Sequence, residues 1–148
     1  MDQADAIHRA IWRLKAEFFL AIDQKRWDDF ARFFTRDARI DYSRARPESD
    51  EPVPAIPSLQ AYVDFARQFV GSARTVHQGS TPIIDIVKDD QVHALWRMED
   101  IILRSPDDML PFGHGFGIYE DEYRLTEDGW RIDSLAFTRL LFLPIASG

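Results

Sequence analysis

Residues 91–104 read Gln-Val-His-Ala-Leu-Trp-Arg-Met-Glu-Asp-Ile-Ile-Leu-Arg. Val92, Ala94, Trp96, Met98, Asp100 and Ile102 share one parity, while Gln91, His93, Leu95, Arg97 and Glu99 share the other. A period of two with one apolar set is the pattern of a strand with one buried face. The turn signals Asp89-Asp90 before it and Ser105 to Pro111 after it set its ends. Thr75 to Val87 is β-rich and runs into the first turn, and Phe112 to Leu125 leaves the second. Glu127-Asp128-Gly129 then makes a tight hairpin into Trp130 to Leu143. The second half of the chain therefore reads as four long strands joined mainly by short turns.

The first half reads as mostly helical. Ile7, Ile11, Leu14, Phe18 and Ile22 form one stripe of a helix from about Asp5 to Asp23, with Asp2 or Asp5 available to cap it. Trp27, Phe30 and Phe34 share a side of a second, short helix over Trp27 to Phe34, and Ala38 to Tyr42 alternates as a strand. Arg44 to Pro57 carries four prolines, which excludes helix and central strand and suits a lid or an interface arm. Ser58 caps a third helix striped by Leu59, Tyr62, Phe65, Ala66 and Phe69. This order predicts an α+β fold, three helices packed in a strongly curved, mainly antiparallel sheet with an apolar pocket at its open end.

Composition narrows the function. The 148 residues are 45% apolar and 29% charged, which predicts one core and a single domain over 1–148. Lys and Arg number 18 against 25 Asp and Glu, a net charge of −7, so no nucleic-acid partner is expected. Absence of cysteine removes disulfides, thiolate catalysis and cysteine-held zinc. No apolar run nears the ~20 residues that span a bilayer and the start lacks a basic or apolar leader, so a cytoplasmic chain with no membrane partner is expected. There is no G-x-S-x-G, H-E-x-x-H or Walker pattern, and the 4 histidines lack ligand spacing; neither metal nor cofactor is expected.

Polar residues in apolar positions are the candidate site. Asp23 shares a helical face with Phe19, Ala16 and Trp12 and sits at the helix C-terminus, where the macrodipole disfavours an anion. The alternative is a solvated terminal residue, since Gln24-Lys25-Arg26 follow. Asp100 points with the apolar set of its strand, so it must be paired or hold its proton, unless a bulge turns it outward. Tyr42 shares a face with Ile40, and its hydroxyl serves as a core partner or as a donor. His77 lies in Thr75-Val76-His77-Gln78-Gly79 at the start of a long strand, where a structural role is the plainer alternative. His114 lies among the alternating glycines 113, 115 and 117; no helix follows, so this is no phosphate loop, and the glycines suit a bend or a close approach.

The stretches Phe18 to Asp28, Phe34 to Tyr42, Thr75 to Gly79, Tyr119 to Tyr123 and Gly129 to Ile132 resemble, in order and spacing, the SnoaL-like branch of the nuclear-transport-factor-2-like superfamily. The pattern is closest to the scytalone dehydratase, bile-acid 7α-dehydratase and hexachlorocyclohexane dehydrochlorinase enzymes. The resemblance implies a cone-shaped α+β barrel with its pocket inside, and an aspartate–histidine dyad matched by Asp23 and His77. It also matches Tyr42 to a catalytic tyrosine, Asp100 to a second acid or histidine, and Arg139 to an arginine of the last strand. Ile22 stands where scytalone dehydratase has a tyrosine, and Met98 breaks the Asp-x-Arg arrangement of the limonene epoxide hydrolases.

The expected activity is that of a cofactor-independent lyase of the dehydratase type. His77 would take a carbon-bound proton, oriented by Asp23; Tyr42 would donate to an enolate oxygen or leaving group; Asp100, if protonated by burial, would act as acid. Phe18, Phe19, Trp96, Met98, His114, Phe116, Phe137 and Arg139 would bind a small hydrophobic cyclic substrate. An isomerase or polyketide cyclase would use the same base. A non-catalytic subunit or ligand carrier would instead have a filled or purely apolar cavity, with Asp23 and His77 too far apart to hydrogen-bond. A homodimer or homotrimer is expected through the sheet face and the 44–57 arm.

Overall fold

The computed structural model describes residues 2–46, 48–103 and 112–145. The element order is α1 (Gln3–Asp23), α2 (Trp27–Phe30) with a 3-10 turn over Ala31–Phe33, β1 (Phe34–Arg44), α3 (Leu59–Val70), β2 (Arg74–Lys88), β3 (Gln91–Leu103), β4 (Gly113–Thr126) and β5 (Gly129–Pro144). One five-stranded sheet has the order β1-β5-β4-β3-β2, with β1 parallel to β5 and the other three pairings antiparallel. This is the curved α+β arrangement read from the sequence, mixed by one parallel pair. The expected turn over Ser105 to Pro111 lies outside the described residues.

Strand β3 follows its pattern: Val92, Ala94, Trp96, Met98, Asp100 and Ile102 are all buried. The second helix is shorter than read. It tightens after Phe30 and turns extended at Phe34, which keeps Phe34 buried as the first residue of β1. Asp2 occupies the N-cap of α1 without a side-chain cap bond, whereas Ser58 Oγ accepts from Ala61 N at 3.1 Å and caps α3. The buried stripe of α3 is rotated from expectation: Tyr62, Val63, Ala66 and Val70 go inward. Phe65 and Phe69, stacked at 5.1 Å, are left half-buried.

Helix α1 lies along the concave side of the sheet and packs on β2. Its residue Phe18 is fully buried and meets Phe30, Phe33, Phe34 and Tyr119 through ring contacts of 5.4 to 6.5 Å. Burying one such ring contributes about 1.5–3 kcal/mol. Into the same aromatic core α1 inserts Lys15, only 1% exposed, whose Nζ donates to Asp121 Oδ2 at 2.7 Å. Tyr123 OH also donates to that oxygen, at 2.7 Å, and Trp96 Nε1 donates to Tyr123 OH. The ammonium stands 3.9 Å from the ring centre of Tyr119. Burial pulls the Lys15 pKa below its usual value, and Asp121 opposes that pull.

A buried pair of this kind is costly to break on one side only. Lys15→Met is expected to lower stability by about 3–5 kcal/mol in urea titration, because it strands the Asp121 carboxylate. Lys15→Met combined with Asp121→Asn is expected to recover a large part of that loss.

Candidate active site

Asp23 is the last residue of α1, where its charge opposes the helix dipole. Three donors from β2 offset that. Its carboxylate accepts from Thr75 Oγ1 at 2.8 Å, from the His77 backbone N–H at 2.9 Å and from His77 Nδ1 at 2.7 Å. Thr75, His77 and Gly79 are the inward set of β2, so strand alternation delivers the imidazole to the concave side. Nδ1–H given to a carboxylate leaves the Nε2 lone pair free, and His77 lines a cavity of about 430 Å³. Asp23 is behind the ring, off the cavity wall. The ring of Phe19 lies nearly parallel to His77, 9° between planes and 6.0 Å between centres.

Cross-strand register builds the next part. His77 pairs with Asp100 across β2 and β3, Asp100 with Gly115 across β3 and β4, and Gly115 with Phe142 across β4 and β5. Asp100 is 2% exposed, and both its oxygens accept from Arg139, Nη1 at 2.8 Å and Nη2 at 3.0 Å. This bidentate fork is a strong form of ion pair. The fork engages both oxygens of the buried Asp100 side chain with one partner, the pairing that the strand pattern called for. His77 Nε2 is 4.0 Å from Asp100 Oδ2, so the imidazole has a carboxylate on either side.

The glycine alternation has a physical reason. A Cβ on Gly115 would overlap Arg139 Nη1 and Asp100 Oδ1, and one on Gly117 would meet the Phe137 ring 2.6 Å away. Gly79 likewise leaves room for Phe19. The glycines are the flat floor on which the Asp100–Arg139 clasp and two aromatic rings lie.

Tyr42 OH meets Tyr62 OH at 2.8 Å and Tyr119 OH at 3.3 Å, and all three tyrosines line the cavity. Burial holds each of these phenols, and that of Tyr123, well above its ordinary pKa. Ile22, Phe65, Met98, Phe137 and Phe142 supply apolar wall, and Ala45, Arg46, Glu48, Ser49, Val53 and Pro54 of the 44–57 segment close over it. The described part of that segment thus belongs to the cavity, as a lid would.

Several expected substrate contacts fall elsewhere. Met98, Phe137 and Arg139 are on the wall. Phe18 and Trp96 are fully packed core, and Phe19 backs His77. His114 and Phe116 have the parity opposite to the buried Gly115 and Gly117 and face the other side of the sheet. There the His114 ring pairs with Glu99 at 2.5 Å and rests on Phe116. The sequence reading missed Tyr62, Tyr119, Lys15 and Asp121. The last two carried a usable signal: Lys15 follows Ile11 by four on the apolar stripe, and Asp121 alternates with Tyr119 and Tyr123. Among the described residues, no three histidine, aspartate or glutamate side chains converge as a metal site.

A model of the SnoaL-like domain matches residues 6–136. The chain belongs to the SnoaL-like family. Solved structures with the same cone surround this SnoaL-like chain. A candidate scytalone dehydratase from Novosphingobium aromaticivorans DSM 12444 has a TM-score of 0.78 at 16% identity, covering 99% of this chain and 93% of its own. Hexachlorocyclohexane dehydrochlorinase LinA-type3 from Novosphingobium barchaimii LL02 has a TM-score of 0.76 at 15% identity, covering 97% and 93%. The beta subunit of a candidate aromatic-ring-hydroxylating dioxygenase, also from N. aromaticivorans, has 0.72 at 21%, covering 98% and 95%. At these identities the likeness is one of fold.

Two measurements test the site's construction. Gly115→Ala is expected to push Arg139 off Asp100 and to cost about 1–3 kcal/mol, the usual range for overpacking, read by thermal or urea unfolding. The second is alkaline titration. The chain's 4 tyrosines are Tyr42, Tyr62, Tyr119 and Tyr123, and all are raised in the folded state. Their contribution to stability is present below the unfolded phenol value near ~10 and is lost as pH rises above it. Tyrosinate absorbance should therefore appear together with loss of the fold, not before it.

Proposed function

We propose that this SnoaL-like chain is a lyase of the dehydratase type that removes a carbon-bound proton from a hydrophobic cyclic substrate, using its own side chains. The observation that carries the reading is the His77–Asp23 hydrogen bond of 2.7 Å, behind an imidazole that opens into a cavity of about 430 Å³. Proximity alone is not chemistry; the tautomer matters. Asp23 holds the proton on Nδ1 and would stabilise the imidazolium that forms when Nε2 takes the substrate proton. As the C–H pair moves into a new C–C double bond, the bond to the leaving oxygen breaks, and that oxygen regains a proton from the imidazolium. Tyr42 is the proposed donor to oxygen in the substrate. Asp100, held by Arg139, faces the imidazolium from 4.0 Å and would add to its stabilisation.

The same base would serve an isomerase or a polyketide cyclase. A non-catalytic cone, the other reading of the fold, calls for a filled or purely apolar cavity with the dyad apart; the hydrogen bond and the polar groups on the wall favour catalysis. Homo-oligomerisation remains part of the proposal, on the outer sheet face where Val76, Ile101 and Leu143 are exposed.

The test uses 3-hydroxy-1-tetralone, a bicyclic β-hydroxy ketone whose loss of water gives fluorescent 1-naphthol. His77→Ala and Asp23→Asn are each expected to lower the rate by roughly 10²–10⁴-fold, the range for a general base, with circular dichroism unchanged. A near-wild-type rate in either variant removes the dyad from the reading.

A further inference from the structure

The chain reverses after α1 through a lysine. Lys25 has a φ of 55°, the left-handed position past a helix end where glycine costs least. Backbone donors of this turn meet the last carbonyls of α1: Gln24 N–H to Leu20 at 2.9 Å, Lys25 N–H to Ile22 at 3.0 Å and Arg26 N–H to Ala21 at 2.8 Å. The Lys25 and Arg26 side chains are therefore not needed to cap the helix. Both line a surface cleft of about 490 Å³, whose other walls are Trp27, Asp28, Asp29 and, from α3, Arg67. None of these residues lines the catalytic cavity.

Three cations thus share one cleft on a chain whose net charge is −7. Their acidic neighbours hold them loosely. Arg67 Nη2 is 3.5 Å from Asp28 Oδ1 and Arg26 Nη1 is 3.9 Å from Asp29 Oδ2. A close charged contact is nearer ~2.7–2.9 Å. The Asp28 side chain is fully exposed, so water shields its charge, and Asp29 is shared with Arg32, also at 3.9 Å. Arg26 Nε is buried and, among the described residues, has no acceptor. A buried N–H in that state costs free energy that an incoming oxygen recovers. The half-buried indole of Trp27, edge-on to Phe30 at 5.6 Å, gives this polar cleft one flat apolar side.

We infer that the cleft binds a small phosphate monoester, its oxygens on Lys25, Arg26 and Arg67 and its carbon side against Trp27. Two guanidinium forks and one ammonium suit a group that presents three acceptor oxygens. The anion takes the place of the two carboxylates as the partner of the guanidiniums, and Asp28 and Asp29 are exposed enough to turn to water. The site shares no side chain with the dyad. Asp23 precedes Lys25 by two residues, but its carboxylate is turned to Thr75 and His77 of β2.

Calorimetric titration at fixed ionic strength tests this with two probes, phenyl phosphate and inorganic phosphate, against wild type, Lys25→Gly, Arg67→Gln and His77→Ala. Wild type is expected to bind phenyl phosphate several-fold tighter than inorganic phosphate. Lys25→Gly removes the ammonium while suiting the left-handed backbone, and Arg67→Gln changes an exposed side chain, so both should match wild type in circular dichroism. Each should weaken phenyl phosphate by about tenfold or more, as loss of a hydrogen bond to a charged group implies. His77→Ala, in the other cavity, should leave the affinity unchanged. No saturation of wild type at millimolar phenyl phosphate overturns the inference. Equal affinities for the two probes also overturn it, since Trp27 would then have no part. So does binding that survives both cation changes, or binding that His77→Ala abolishes, which would put the anion in the catalytic cavity.

Discussion

A carboxylate at the C-terminus of a helix is in the wrong place by the helix's own electrostatics, and Asp23 is held there by what β2 offers it. A hydroxyl, a backbone N–H and an imidazole N–H converge on two oxygens, from residues 75 and 77 of one strand. Satisfying that charge fixes the end of α1 against β2, sets the histidine's tautomer and turns its other nitrogen toward the cavity. Fold and site thus share one interaction. Had the helix ended in an apolar residue, α1 could still pack on the sheet, but nothing would define the imidazole.

The rest of the pocket depends on complementarity between large and absent side chains. Along β4 the inward positions are Gly113, Gly115, Gly117, Tyr119, Asp121 and Tyr123, bare at one end and bulky at the other. The bare end receives groups that β3 and β5 send across it: the Asp100–Arg139 clasp over Gly115 and Phe137 over Gly117. The bulky end fills the closed part of the cone. The cavity lies between these groups and the roof formed by α3 and the 44–57 segment. Close-packed interiors do not otherwise leave about 430 Å³ open.

Most of the architecture was legible because periodicity is local. β3 reads correctly at every inward position, and α1 is within two residues at its start. Asp23, His77 and Asp100 stood out as polar groups where the pattern asks for apolar ones. What sequence could not reveal was register. The clasp depends on Gly117 pairing with Arg139 and Gly115 with Phe142, a shift between neighbouring pairs that no propensity encodes. Without it, the sequence shows that Asp100 is buried but not which residue pairs with it. The same limit misplaced His114 and Phe116: they are adjacent to the buried glycines of β4 in sequence but opposite in parity, and the strand sends them to the far face. Phe18 and Trp96 failed differently, since an inward-facing aromatic is core or wall according to what lies opposite it.

Two kinds of buried polar group can now be told apart. Lys15 and Tyr123 both donate to Asp121 Oδ2, its Oδ1 is buried without a partner among the described residues, and neither Lys15 nor Asp121 lines the cavity; their immediate effect is on packing. His77, Asp100, Arg139 and the three tyrosines also have partners, yet each contributes to the cavity wall. Among the described residues, His77 keeps its Nε2 on the cavity side, turned away from the Asp23 carboxylate that holds Nδ1. Burial draws attention to a polar residue, but the unused valence facing the open space is what gives it chemistry.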